Sequence, residues 1–255
     1  MILGRFRMRG CHPDLAAGRE AMVKRDLRAR GIRDPRVLEA MRAVPREAFV
    51  PPEVRDEAYA DRALPIGHGQ TISQPYIVAL MVEALALRGR ETVLEVGVGS
   101  GYAAAVLAEL ANWVVGIERV PELAAAAGER LGLLDIQNVE VHAGDGSRGW
   151  AKDAPYDGIL VSAAAPAVPP GLAEQLAEGG RLVIPLGEDG GTQILTLIRR
   201  RGRSFDRRDL CACKFVPLVP GTEAMGEAGA EEAGGREARP EAGPPEPPGD
   251  GPGTP

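Results

Sequence analysis

From residue 92 to residue 218 the chain alternates short apolar runs with stretches of helical composition, and that alternation leaves few architectures open. Strand and helix taking turns is the pattern of a mostly parallel sheet covered by helices on both faces, a doubly wound α/β fold. The runs predict strands at 92–96, 113–118, 139–142, 158–162, 181–185, 194–199 and 214–218, seven in one sheet. Between them, 101–110 is rich in Ala and Leu, Pro121 stands at a first helical position, and 170–178 ends at Gly179-Gly180, a C-terminal stop signal. The last two strands are expected to form a C-terminal β-hairpin around an Arg-rich turn at 199–208. Ahead of the sheet, 15–43 reads as a helical extension, with Asp34-Pro35 opening its second helix, and 44–75 as a Pro-punctuated connector.

Charge is unevenly placed along this pattern. The 255 residues carry 30 Lys plus Arg against 36 Asp plus Glu, a formal −6, yet residues 1–220 balance to zero. The whole of the charge sits in 221–255, which hold 8 acids and 2 arginines among Gly and Pro, with no aromatic or branched aliphatic side chain. Such a segment buries too little apolar surface to offset the entropy of ordering it, so it is expected to be a disordered acidic tail. The domains are therefore read as a 1–19 extension, a 20–220 domain and the tail. The first residues lack the apolar core of a signal peptide and read as an uncleaved extension or a start codon placed too early. Three cysteines without paired spacing argue for a reducing, cytoplasmic setting. The longest apolar stretches are interrupted by Glu109 and Asn112 or by prolines, so no membrane span is expected, and scattered His and Cys give no metal site. A generally basic nucleic-acid binder is disfavoured.

The strongest chemical signal lies where the first predicted strand meets its helix: Leu94-Glu95-Val96-Gly97-Val98-Gly99-Ser100-Gly101. Glycines let a ligand approach the backbone, and a helix N-terminus offers free N–H groups. The second strand ends at Glu118, where a carboxylate can accept hydrogen bonds from both ribose hydroxyls of an adenosine cofactor. A dinucleotide fingerprint needs Gly or Ala at position 102, which here is Tyr102. The E-x-G-x-G-x-G form instead resembles class I S-adenosylmethionine-dependent methyltransferases of Rossmann-like fold, and an acid beside the loop suits a cationic amino-acid cofactor better than a pyrophosphate. Gly144-Asp145-Gly146 after the third strand, Pro155-Tyr156-Asp157 before the fourth and Gly179-Gly180 before the fifth fit the same plan.

A further segment narrows the substrate. Ala63-Leu64-Pro65-Ile66-Gly67-His68-Gly69-Gln70-Thr71-Ile72-Ser73-Gln74, with VPREAFVPP at 44–52, APYDGILVSAAAP at 154–166 and CKFVPLVPG at 213–221, closely resembles the protein-L-isoaspartate O-methyltransferase family from about residue 20 to 221. The resemblance implies an enzyme that methylates the free α-carboxylate of L-isoaspartyl residues, and of D-aspartyl residues, in damaged proteins, the ester then cyclising to a succinimide. It implies Ser73 in the active site, Thr71, Ile72, Glu95, Gly97, Gly99, Ser100, Gly101, Glu118, Asp145 and Gly146 at S-adenosylmethionine, and Val216 and Leu218 with Ser73 at the substrate.

The chemistry fits those residues. A carboxylate with a pKa near 4 is ionised at neutral pH and needs no general base to attack a sulfonium methyl. Ser73 also suits a plain role as the cap of a helix starting near Gln74-Pro75, His68 reads as a loop residue, and Cys211 and Cys213 as packing residues on one strand face. No Gly-x-Ser-x-Gly elbow is present. Two competing readings remain: a class I methyltransferase acting on RNA or a small molecule, for which the arginines of 1–55 and 199–208 speak, though solvated faces explain them more simply, and a scaffold that binds the cofactor without catalysis.

Overall fold

The computed structural model describes residues 13–188 and 190–221. The first twelve residues of the expected extension and the acidic tail beyond Gly221 lie outside the described residues, as does Cys11. The chain enters through α1 (Pro13–Ala21) and a π-helical segment, Met22–Leu27, and turns at Gly31 in a left-handed conformation. Asp34 caps α2 (Pro35–Ala43), its carboxylate accepting the Arg36 amide at 2.9 Å, with Pro35 at the first helical position. Arg19, expected in the extension, is instead a core residue paired with Glu47 at 2.7 Å.

The stretch read as a connector is built structure. Two 3₁₀ turns, Arg46–Phe49 and Pro52–Glu57, lead to a hairpin of β1 (Leu64–Gly67) and β2 (Gln70–Ile72), and α3 (Pro75–Leu85) follows. Arg46 is completely buried there. It donates from Nε to the Ala58 carbonyl at 2.7 Å and from Nη2 to the Ser73 carbonyl at 2.8 Å, and lies over the Tyr102 ring.

The sheet comprises β3 (Thr92–Val96), β4 (Trp113–Glu118), β5 (Val139–Ala143), β6 (Tyr156–Val161), β7 (Leu176–Leu186), β8 (Gln193–Arg201) and β9 (Ser204–Cys213), in the order β5-β4-β3-β6-β7-β8-β9. The first five strands are parallel and the last two antiparallel. One face, including Val93, Val114, Leu160 and Val183, packs on α3, on α4 (Tyr102–Ala108) and on the N-terminal helices; the other, including Leu94, Val115, Ile159 and Leu182, packs on Leu172 of α6 (Pro170–Glu174). Burial on both faces is why these strands read as continuous apolar runs. Ala127 and Leu131 of α5 (Pro121–Leu133) join the first cluster. Among the described residues, no helix is long and apolar enough to cross a membrane.

Three expectations are corrected. The seventh strand is 204–213, not 214–218. Its Arg and Asp side chains are exposed at the sheet edge, where ladder hydrogen bonds to β8 outweigh low strand propensity. The chain reverses at Gly202-Arg203, so five of the six arginines of 199–208 sit on strands and only Arg203 is in the turn. The helix expected over 170–178 ends at Glu174, because the buried Leu176 already pairs with Tyr156 in the sheet. Gly179-Gly180 is consequently an irregularity inside β7, with Gly179 at φ +73°.

Gly146 illustrates how closely the loops are packed on the sheet. A Cβ there would stand 2.4 Å from Cγ1 of Val96. Gly146→Ala is therefore expected to lower stability by about 1–3 kcal/mol through overpacking, measured as the shift of the urea midpoint at unchanged m. An unshifted midpoint would mean that Val96 moves aside at no cost.

Candidate functional site

The sheet begins at β3, extends outward to β5, then returns to β6 on the other side of β3. Ligands of open α/β sheets bind at such a switch point, beyond the carboxyl ends of the strands. A pocket of about 240 Å³ lies there, among the ends of β3, β4 and β6, the β2–α3 segment and the chain after β9. Its cradle is the loop 97–101, in which Gly97, Gly99 and Gly101 take φ values of +82°, +54° and +91°, a path side chains would strain. The loop is fixed by the Gly97 amide to the Ile117 carbonyl (2.8 Å) and by Arg130 Nη1 to the Ser100 carbonyl (2.6 Å).

Two carboxylates face this cradle with different partners. Glu118 accepts the Gly99 amide at 2.8 Å on one oxygen and the Val120 amide at 2.9 Å on the other, which fixes its plane. Glu95, 1% exposed, has no hydrogen-bond partner on either oxygen. Burial, with the Glu118 charge nearby, holds its pKa well above the ordinary value of 4.5. A buried carboxylate with both oxygens free is costly by itself and is relieved by a cation placed against it.

The opposite wall is Thr71, Ile72 and Ser73. Gln74, not Ser73, occupies the N-cap of α3, and no side chain caps that helix, so the Ser73 hydroxyl is not spent as a cap. Its backbone is held from behind by Arg46. The third wall is a strap, residues 214–221, that leaves β9 and crosses the mouth. Ala164 exchanges two hydrogen bonds with it, its amide to the Val216 carbonyl (2.8 Å) and its carbonyl from the Leu218 amide (2.7 Å). The Gly221 amide donates to Asp145 Oδ2 at 2.8 Å, and Arg119 Nε to the Gly221 carbonyl at 3.3 Å. Pro217 has no amide to give a ladder, which is why this apolar stretch makes only an isolated bridge.

Thr71, Ile72, Ser73, Glu95, Gly97, Gly99, Ser100, Glu118, Gly146, Val216 and Leu218 all line the pocket; Gly101 and Asp145 do not. Gly101 turns the chain into α4, and its missing Cβ would meet Ala127 at 3.4 Å. Asp145 latches the strap. Burial opposes its charge, but hydrogen bonds from Ser147 and Gly221 prevail and hold its pKa below the ordinary value. Arg119, Ser162 and Gln70 also line the pocket and escaped sequence reasoning. Ser162 directly follows the β6 apolar run, a signal that could have found it. His68 sits at the β1–β2 turn and Cys211 and Cys213 pack half-buried against the core.

The profile of the family described as protein-L-isoaspartate(D-aspartate) O-methyltransferase matches residues 17–223. A protein-L-isoaspartate O-methyltransferase 2 of Marinobacter nauticus is 58% identical over 207 residues, covering 81% of this chain and 94% of the relative. A protein-L-isoaspartate O-methyltransferase of Methylorubrum populi is 57% identical over 210 residues, covering 82% and 99%. A solved protein-L-isoaspartate O-methyltransferase is similar at a TM-score of 0.72 and 29% identity over 81% of this chain and 67% of its own. A candidate protein-L-isoaspartate O-methyltransferase of Plasmodium falciparum, solved with S-adenosyl-L-homocysteine, gives 0.67 and 28% over 79% and 98%. Matched from within its first helix to the strap, the chain belongs to the protein-L-isoaspartate O-methyltransferase family.

Proposed function

We propose that the protein transfers a methyl group from S-adenosylmethionine to the free α-carboxylate of L-isoaspartyl residues, and of D-aspartyl residues, in damaged proteins, the reaction taking place in the cytoplasm. What carries this reading is that the Thr71–Ser73 segment and the glycine loop wall one pocket. When bound, S-adenosylmethionine supplies an electrophilic methyl on a sulfonium, and its cationic amino-acid end suits the unpartnered carboxylate of Glu95. Glu118, its plane set by two amides, keeps lone pairs for the ribose hydroxyls. The loop glycines admit the ligand against the backbone, and Gly146 lines the pocket beside them.

The acceptor carboxylate is ionised at neutral pH, so no residue need remove a proton. The work left to the chain is alignment, worth on the order of 7–11 kcal/mol in favourable cases. Ser73 donates its hydroxyl to the acceptor carboxylate and fixes one oxygen in line; Val216 and Leu218 cover the reacting groups from water. The ester then closes to a succinimide without the enzyme. We assign the catalytic domain to 20–220 together with Arg19, with no catalytic part for the acidic tail.

Radiolabelled methyl transfer to a peptide containing isoaspartate, beside its aspartate twin, tests the reading. Transfer to the first alone is expected; no transfer, or equal transfer to both, overturns it. Ser73→Ala is expected to lower kcat/KM for the peptide by about 10²-fold, the cost of one positioned donor, while the dissociation constant of S-adenosylhomocysteine stays unchanged in calorimetry. An unaltered kcat/KM would leave Ser73 no catalytic part.

A further inference from the structure

A second groove, of about 410 Å³, lies between the last turns of α3 and the strands β7 to β9. Arg181 pairs in register with Arg199, and Arg208 pairs with Leu197, two residues before Arg199. With a side-chain period of two, Arg181, Arg199 and Arg208 therefore rise from three adjacent strands on one face. Arg181 also pairs with Gly158, which pairs with Val93, so the groove is at the N-terminal edge of the parallel strands, the end opposite the methyl-transfer pocket.

These arginines lack counter-charges. Among the described residues none of the three makes an ion pair, and Arg199 Nε is buried with no hydrogen-bond partner. Arg181 makes one contact, from Nη1 to the Ala84 carbonyl at 3.2 Å. Two acids line the groove beside five arginines, Glu83 and Asp206, the latter in register with Arg199, but both hydrogen-bond to other partners. Glu83 accepts the amides of Arg33 and Asp34, Asp206 pairs with Arg201, and Asp209 accepts from Arg207 and Thr196. Burial and the charges of Arg199, Arg208 and Arg88 hold the Arg181 pKa below its ordinary value. Fixed like charges around a concave space, with an unused buried donor, favour a multivalent anion, and guanidinium forks match phosphate oxygens two at a time.

We propose that this groove is a second ligand site, for a small phosphate-type oxyanion of two or three phosphoryl groups, gripped by Arg181, Arg199 and Arg208. Such a ligand would tie the C-terminal turns of α3, whose first turn follows Ser73, to the strands β7 to β9.

Inorganic tripolyphosphate titrated into the full chain, by calorimetry and by thermal shift, is the test, with sulfate at matched ionic strength and a 20-nucleotide DNA as separate arms. Saturable tripolyphosphate binding at least tenfold tighter than sulfate is expected. Arg181→Gln/Arg199→Gln should weaken it at least tenfold and, with the repulsion relieved, melt no lower than the parent without ligand. Arg203→Gln, outside the groove, should bind as the parent does. If the double variant does not fold, the exposed Arg208→Gln serves in its place, with a loss of at least threefold. No saturable binding, binding that survives in the groove variants, or binding of DNA without tripolyphosphate overturns the proposal.

Discussion

Glu95→Gln is expected to weaken the binding of S-adenosylmethionine by 10²-fold or more at neutral pH while leaving the empty protein as stable as before, or more so. Both effects come from one carboxylate. In the empty pocket it is buried without a partner on either oxygen, and the amide removes that burden. With the cofactor bound, the amide leaves a buried ammonium unpaired, a loss of about 3–5 kcal/mol for a broken buried pair. The pH dependence has a definite sign. Because the folded pKa is raised above 4.5, the folded state holds a proton that the unfolded state releases. This group's stabilising share is thus full below pH 4.5 and is lost as pH rises through the folded value. The parent's melting temperature should therefore fall more steeply than the variant's on going up from pH 4.5. Cofactor affinity should move oppositely, weakening in the parent as pH falls and Glu95 takes up its proton. Equal pH slopes for parent and variant, or an unchanged dissociation constant by calorimetry, would remove Glu95 from the role given to it.

Arg46→Ala should be the most damaging single change to stability. It deletes a completely buried side chain and abandons the Ala58 and Ser73 carbonyls. Cavity formation and two unsatisfied acceptors together cost about 3–5 kcal/mol, read from urea unfolding. Arg46→Lys fills most of the volume but reaches only one carbonyl, so it should fold and still lose kcat/KM for peptide, at unchanged cofactor affinity, through the freed Ser73 backbone. A change of less than 1 kcal/mol for Arg46→Ala would show that the 3₁₀ layer holds Ser73 without it.

What could be read from the residues follows from which forces act locally. Strands β3, β4 and β6 and the central parts of β7 and β8 were legible because burial on both faces writes itself as runs rich in Val, Ile and Leu, β5, the half-buried edge strand VEVHA, by its place in the alternation, and the cofactor loop by its glycines. β9 was hidden, since SFDRRDLCAC is polar and its strand is imposed by a neighbour's ladder. The apolar 214–218 misled in the opposite sense, its burial coming from the pocket mouth rather than from a sheet. Arg19 and Arg46 were illegible as core residues because charge argues for solvent, and partners far along the chain, Glu47 and Tyr59 for Arg19 and the Ala58 and Ser73 carbonyls with the Tyr102 ring for Arg46, make their burial tolerable. The part played by Asp145 was likewise set by Gly221, 76 residues away.

The strap also governs time. Beyond the pair that ties Phe215 to Gln193 at its base, four hydrogen bonds hold it across the mouth, and at about 1 kcal/mol net apiece these four amount to about 4 kcal/mol. On that footing about one molecule in a thousand is open at any instant, a local opening well short of unfolding. Encounters with the cofactor would then mostly meet a shut door, so exchange should run about a thousandfold below collision frequency, and a ligand once inside should stay correspondingly long. Entry of the cofactor and exit of the product would both pass this segment, a step distinct from methyl transfer.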